Sequence, residues 1–190
     1  MKMPGNKTLF GLSVLAGIGF VLLSAAYSRF SLSRLPEVTT HQLTHSIFVT
    51  EQVSVNAVTS LKHDGITTII DMRPDGEAAG QPTAAAMAAA AKAEGLDFAY
   101  IPVPHGPIPD TAVTALQQQL AKNSGAVLLY CRSGSRAART WSLVEASRNG
   151  GLDAPDILAA VKASKLNADD LEPAIRQRIA LRTADSKGTP

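Results

Sequence analysis

The segment around Cys131, the single cysteine of the 190-residue chain, places the tightest limit on the fold. Residues 126–130 before it form a short, wholly apolar run, which is typical of a strand buried on both faces of a parallel sheet. Beyond the following loop, apolar residues recur at helical spacing, at Ala137, Trp141 and Val144. The sequence therefore predicts a strand, a tight loop and a helix, with the cysteine at the start of the loop.

The loop itself has the composition of an anion-binding cradle, formed by Arg132, Ser133, Gly134 and Ser135. Gly134 allows the backbone to turn inward, so that N–H groups and the positive end of the helix converge on one point. Arg136 adds a planar, two-pronged donor for an oxyanion. A thiol in such a place ionises more easily than a free cysteine, whose pKa is about 8.5. We expect Cys131 to be an activated nucleophile rather than an inert core residue.

The length of the loop bears on the chemistry, because four residues separate Cys131 from Arg136. This spacing is similar to the Cys-x-x-Gly-x-Arg loop of rhodanese-type sulfurtransferases. Protein tyrosine and dual-specificity phosphatases have one residue more, and usually a histidine where this chain has Tyr130. Ala137 also stands where those phosphatases often carry Ser or Thr. The loop alone therefore favours sulfur transfer.

Several further segments favour phosphatase chemistry. Arg-Pro-Asp-Gly-Glu at 73–77 and Cys-Arg-Ser-Gly-Ser-Arg at 131–136 occur in order with the strand-like runs at 66–71 and 98–103. Together they resemble the phosphatase-like domain of beta-lactamase hydrolase-like proteins, a bacterial family also labelled as sulfurtransferases. The resemblance runs from about Leu43 to about Ile179. It implies a dual-specificity-phosphatase-like fold and a cysteine-based hydrolase.

The rest of the chain shows alternating strand and helix patterns, which predict an α/β domain with a compact, mostly parallel sheet covered by helices on both faces. We expect an edge strand at 46–50, strands at 67–71 and 98–103, and helices at 55–63 and 83–93. Asp110 is expected to cap a further helix, and two more follow at 155–163 and 171–179. Trp141 is expected to pack in the core, and His41, His45 and His63 to lie at the surface.

Ligands of such sheets bind beyond the carboxyl ends of the strands. The loops that open there offer Arg73, Asp75 and Glu77 after one strand, and His105 and Asp110 after the next. A phosphatase needs a general acid for the leaving oxygen, and His105 and Asp110 lie in the stretch that resembles the acid loop of dual-specificity phosphatases. Arg73 and Asp75 are candidates for the rim of the site, although they also suit a Pro-Asp-Gly turn.

The N-terminal part contains an uncharged run at 9–27 that is long enough, at about 28 Å as a helix, to span a bilayer. We expect a single-pass anchor with the domain on the exported, periplasmic side; the alternative is a signal peptide cleaved after the small residues Ser24, Ala25 and Ala26. The predicted organisation is a tail at 1–8, the anchor, a linker at 28–40, the phosphatase-like domain at 41–182 and a flexible tail at 183–190.

Composition limits the partners. A net charge of +2 offers no basic stripe of the kind that nucleic-acid-binding proteins need. The pattern of Cys and His predicts no metal site, and no cofactor is implied. We therefore expect a small anionic or phosphorylated substrate. Three functions remain open: a phosphatase acting through a phosphocysteine, a sulfurtransferase acting through a Cys131 persulfide, and an inactive, membrane-tethered module that binds anions.

Overall fold

The computed structural model describes Val21 and residues 36–187. The chain divides into two compact units, Met1–Pro36 and Glu37–Pro190, and the elements below all belong to the second. The expected anchor or signal segment at 9–27 lies outside the described residues, apart from Val21. Among the residues that are described, no helix has both the length and the apolar character that a membrane span requires.

The second unit alternates strands with helices, as its sequence predicts. The strands are β1 (His41–Gln42), β2 (Ile47–Thr50), β3 (Ile66–Asp71), β4 (Asp97–Tyr100) and β5 (Ala126–Tyr130). The α-helices are α1 (Val58–His63), α2 (Ala84–Ala93), α3 (Asp110–Lys122), α4 (Ser135–Ser147), α5 (Ala154–Ala163) and α6 (Glu172–Lys187). Short 3-10 turns precede α1 at Val55–Ala57 and α6 at Asp169–Leu171.

The five strands form one sheet in the order β1-β2-β5-β3-β4. β2, β5, β3 and β4 run parallel, and β1 pairs antiparallel with β2. This confirms the predicted mostly parallel sheet but corrects one detail, since β2 is not an edge strand. β1 covers it with only two residues, too few to show a periodicity in sequence.

Side chains alternate between two cores, one on each face of the sheet. From β5, Val127 and Leu129 face a core that includes Trp141 of α4, Ile157 of α5 and Ile175 of α6. Leu128 and Tyr130 face the other core, which is built mainly from α1 and α2. Helices therefore cover both faces, as predicted. Trp141 is 1% exposed, which confirms its packing role.

Several boundaries differ from the sequence prediction. β4 ends at Tyr100, not at Val103, although the N–H groups of Ile101 and Val103 still donate to the carbonyls of Asp71 and Met72. α3 begins at Asp110 itself, and Pro109 is the N-cap residue; the expectation that Asp110 caps this helix was wrong. α6 continues to Lys187 and so includes part of the segment at 183–190 that was expected to be a flexible tail.

Candidate active site

Cys131 lies at the middle of the carboxyl edge of the sheet. It follows β5, whose last residue Tyr130 pairs in register with Thr50 of β2 and with Asp71 of β3. Three neighbouring strands thus end at one level, directly beside the cysteine. The Cys131 side chain belongs to the core on the α4 face, and the residue is 1% exposed. The position is the one where parallel sheets bind their ligands.

The loop after Cys131 turns sharply into α4. Gly134 has a φ of +82°, and a Cβ there would lie 3.2 Å from the backbone oxygen of Thr50, so both conformation and space require glycine. The backbone N–H of Gln52 donates to the carbonyl of Arg132 (3.3 Å), which ties the loop to the segment after β2. The first N–H groups of α4 have no acceptor within the helix, and the helix dipole makes them suited to an anion.

Arg136, in the first turn of α4, lies beside the cysteine and is anchored on its other side. Its Nη1 and Nη2 donate to the two carboxylate oxygens of Glu77 at 2.6 and 2.8 Å, and Nη1 also donates to the Val103 carbonyl at 2.6 Å. The hydrogen bond with Glu77 is the main reason that the pKa of Arg136 is raised, and burial opposes it. The Cys131 side chain raises the pKa further, through its charge and a hydrogen bond.

These bonds orient the guanidinium. Of its five N–H donors, three are engaged by Glu77 and Val103, which leaves Nε–H and one Nη2–H on the remaining edge. Since the neighbouring Cys131 side chain contributes to the raised pKa of Arg136, the two lie close together, and the remaining donors can serve the thiol and an anion bound next to it. The arrangement can hold an anion over the sulfur of Cys131.

Glu77 is ionised and connects three side chains at the rim of the cradle. Hydrogen bonding to Arg136 is the main cause that lowers the pKa of Glu77 to about 2; burial opposes this shift, and a hydrogen bond from Arg73 adds to it. Arg73 donates through Nε to Glu77 (3.1 Å) and through Nη1 to Gln52 (2.7 Å). His105 Nε2 lies 3.6 Å from Glu77 Oε1.

The loop after β3 is held in place by its own polar groups. The Asp71 carboxylate accepts from the Arg73 N–H at 2.9 Å, and burial raises the pKa of Asp71. The Asp75 N–H donates to the Tyr100 hydroxyl, while the Asp75 carboxylate accepts from the first N–H of α2, that of Ala84. Asp75 therefore fixes the Pro-Asp-Gly turn, whereas Arg73 reaches the cradle through Glu77.

The two acid candidates separate in space. His105 is mostly exposed and stands at the Glu77 end of the cradle. Asp110, at the start of α3, pairs with Arg178 of α6, and its side chain is 85% exposed. The pocket that contains Asp110 and Arg178 is lined by other residues of α3 and α6 together with Ser147. The structure thus brings His105, and not Asp110, to the Arg136–Glu77 pair.

The sequence analysis placed Glu77 in a loop at the site edge of the sheet but gave it no role, and it did not point to Gln52. The role of Glu77 follows from its bonds to Arg136. Gln52 belongs to no motif, so only the fold reveals that it supports Arg73. Within the described part of the chain, no cluster of three or more His, Cys, Asp or Glu side chains could hold a metal ion.

Comparison with known proteins finds relatives of this chain by sequence and by fold. The family model described as "Beta-lactamase hydrolase-like protein, phosphatase-like domain" matches residues 39–148. A beta-lactamase hydrolase-like protein from Agrobacterium fabrum is 40% identical over 87 residues, which are 46% of this chain and 20% of that protein. The chain thus matches about a fifth of this relative's length.

Solved structures agree on the fold. A candidate phosphatase from Neisseria meningitidis superposes with a TM-score of 0.64 at 24% identity, covering 73% of this chain and 96% of that one. PTPMT1 superposes with a TM-score of 0.62 at 15% identity, covering 80% and 100%. At these identities the likeness concerns the fold alone, which is the dual-specificity-phosphatase-like one that the sequence resemblance implies.

Proposed function

The chain belongs to the family of phosphatase-like domains of beta-lactamase hydrolase-like proteins, and on that premise we propose that it hydrolyses phosphate monoesters through a phosphocysteine at Cys131. The observation that carries the proposal is the placement of Cys131 at the end of β5, one short loop before α4, where Glu77 and the Val103 carbonyl anchor Arg136. A nucleophilic sulfur, a fixed bidentate cation and free helix N–H groups meet at one point.

In the first step the Cys131 thiolate attacks the phosphorus atom. The S–P bond forms while the bond from phosphorus to the ester oxygen breaks, and the leaving oxygen takes up a proton. The N–H groups of residues 132–136 and the free edge of Arg136 bind the remaining phosphoryl oxygens. Because these donors are fixed before the reaction, they stabilise the charge of the transition state without reorganising.

We assign the role of general acid, which supplies the proton to the leaving oxygen, to His105. It is the acid candidate that lies beside the Glu77–Arg136 pair. An imidazolium there donates to the leaving oxygen, and the resulting neutral imidazole accepts a proton from the water that enters next. This water attacks phosphorus, breaks the S–P bond, releases inorganic phosphate and restores the Cys131 thiolate. Asp110 takes no part, because its carboxylate pairs with Arg178 on the α3–α6 surface.

Sulfur transfer remains the second candidate, and the short loop is the observation that favours it. Four residues between Cys131 and Arg136 form a smaller ring of N–H groups than the five of the phosphatases. In this reaction the Cys131 thiolate attacks the outer sulfur of thiosulfate, sulfite leaves, and a thiol or cyanide removes the sulfur from the persulfide. The third candidate, an inactive anion-binding module, has no turnover.

One parallel assay distinguishes the three functions. The purified full chain is assayed with an aryl phosphate and, separately, with thiosulfate and cyanide. We expect phosphate release only, abolished by Cys131→Ser and reduced at least about a hundredfold by His105→Ala. His63→Ala, at an exposed position on α1, is the matched control and keeps full turnover. Thiocyanate formation without phosphate release would establish the sulfurtransferase, and no turnover with retained phosphate binding would establish the module.

A further inference from the structure

A second cavity opens beside the end of β2 and the loop that follows Cys131. It has a volume of about 240 Å³ and shares Ser133 and Gly134 with the anion-binding loop. Its other walls include Thr39, His41, Glu51 and Lys165. Since Ser133 and Gly134 belong to both, a group bound here lies beside the anion-binding loop. The cavity is smaller than the ~300–1,000 Å³ pockets that hold drug-sized ligands, so it fits one small group.

Lys165 stands in this wall in an unusual backbone conformation. Its φ is +59°, and it is the one non-glycine residue with a positive φ in the part of the chain that the structure describes. It follows α5 in the same register in which Gly65 follows α1 and Gly95 follows α2. At these three positions the backbone N–H donates to the carbonyl three residues earlier, at 3.0 to 3.1 Å.

Glycine is the residue that adopts this conformation without strain, and α1 and α2 both use it. The presence of a lysine with a positive φ after α5 is therefore not explained by backbone conformation alone. Strained residues of this kind persist where they serve a site, and Lys165 is an exposed residue at the mouth of a cavity that it helps to line. The backbone conformation and the cavity are independent observations that single out the same residue.

The polar side chains that line the cavity differ in whether they already have a hydrogen-bond or ion-pair partner within the fold. The Thr50 hydroxyl donates to the Thr39 carbonyl, and the Ser164 hydroxyl to the Gln42 carbonyl, so these donors are engaged within the fold. His41, Glu51 and Lys165 take part in none of the ion pairs found among the described residues. The cavity thus presents one carboxylate acceptor, one ammonium donor and one imidazole.

We infer that this cavity binds the leaving group of the substrate, and that the leaving group is a polyhydroxylated alcohol such as a sugar or cyclitol. Hydroxyl groups donate to Glu51 and accept from Lys165 and His41, so they satisfy both kinds of wall group at once. An aryl or alkyl group offers none of the three a hydrogen-bond partner, and a purely anionic group faces the Glu51 carboxylate. This inference rests on the proposed phosphatase function and names its substrate class.

The test compares Lys165 variants of the full chain on two kinds of ester. Phenyl phosphate reports on the cradle, while glycerol 2-phosphate, glucose 6-phosphate and inositol 1-phosphate report on the cavity. We expect Lys165→Gly to lower kcat/KM for the best polyol ester by about ten- to a hundredfold, as for a lost charged hydrogen bond, and to leave phenyl phosphate within about twofold. The same variant raises the thermal midpoint, because glycine adopts the positive φ freely.

Two further variants isolate the charge. Lys165→Arg keeps the cation and retains most of the polyol activity. Lys162→Gln removes a lysine from the exposed face of the last turn of α5, outside the cavity, and changes neither activity. Equal effects of Lys165→Gly on both kinds of ester, or turnover of phenyl phosphate but of no polyol ester, would overturn the cavity assignment and leave the phosphatase standing. Turnover of no phosphate ester overturns both.

Discussion

Replacing Glu77 by glutamine tests the electrostatics of the cradle, because the substitution removes the charge and keeps the shape. In the folded protein, hydrogen bonding to Arg136 holds the pKa of Glu77 at about 2, against an ordinary value of 4.5. This interval corresponds to about 3 kcal/mol of stability linked to ionisation, since one pKa unit equals about 1.4 kcal/mol. The side chain is 14% exposed, so solvent screens the interaction little.

The lowered pKa of Glu77 fixes the pH range in which its ionisation stabilises the folded protein. The stabilisation is complete above pH 4.5, where both the folded and the unfolded carboxyl are ionised, and it is lost as the pH falls through about 2. By pH 3 the difference in the free energy of unfolding between wild type and Glu77→Gln should have fallen by about 2 kcal/mol from its value at neutral pH. The raised pKa of Asp71 acts in the opposite direction, but it is common to both proteins and cancels in their difference.

Urea unfolding at several pH values between 7 and 3 measures this difference. Trp141 is the single tryptophan and is 1% exposed, so its fluorescence reports the loss of the core around α4. Glu37→Gln, at an exposed position, is the control and should leave the pH dependence unchanged. A wild-type-minus-Glu77→Gln difference that stays constant from pH 7 to pH 3 would refute the argument that Arg136 holds Glu77 ionised.

Other substitutions test the remaining parts of the site. Arg136→Lys keeps a charge but loses the fork, and we expect it to cost on the order of 2–4 kcal/mol of transition-state stabilisation, measured as kcat/KM for an aryl phosphate. Gly134→Ala forces an L-residue to a φ of +82° beside the Thr50 carbonyl; urea unfolding should show a loss of about 1–2 kcal/mol, and vanadate should bind more weakly. Asp110→Asn should retain full kcat, and a large loss would return Asp110 to the list of proton donors. Thr83→Ala removes the N-cap bond to Ala86 and should reduce stability by about 1 kcal/mol with turnover unchanged. Carbonate washing of membranes should leave the full chain in the pellet if residues 9–27 are an anchor.

The sequence predicted the central part of the fold because its strands are apolar and its helices strongly periodic. β5 and α2 follow within a residue the boundaries that their patterns indicate. Prediction failed where few residues carry the signal. The two residues of β1 form a strand because β2 offers an open edge, and the N–H groups of Ile101 and Val103 continue to donate to Asp71 and Met72 beyond the end of β4.

The candidate site was predictable to the extent that it is local in sequence. Cys131, Gly134 and Arg136 lie within six residues, so their proximity follows from one turn. The contacts of Arg136 with Glu77 and of Arg73 with Gln52 join residues 59 and 21 positions apart, and they depend on how β2, β3 and β5 are ordered in the sheet. The pairing of Asp110 with Arg178 likewise joins residues 68 positions apart, so no local pattern indicates it.

The burial of α4 divides the site into a fixed part and a part with freedom to move. Nine residues of this helix, from Ala137 to Ala146, are buried, so the helix cannot shift without disrupting the core. The cradle at its first turn is therefore a rigid template. The loops that carry Glu77 and His105 are more exposed and lie outside the regular elements. We expect these two loops to set the rates of substrate entry and product release, so that mutations in them that leave Glu77 and its bonds to Arg136 intact alter turnover without altering the affinity of the cradle for a small anion.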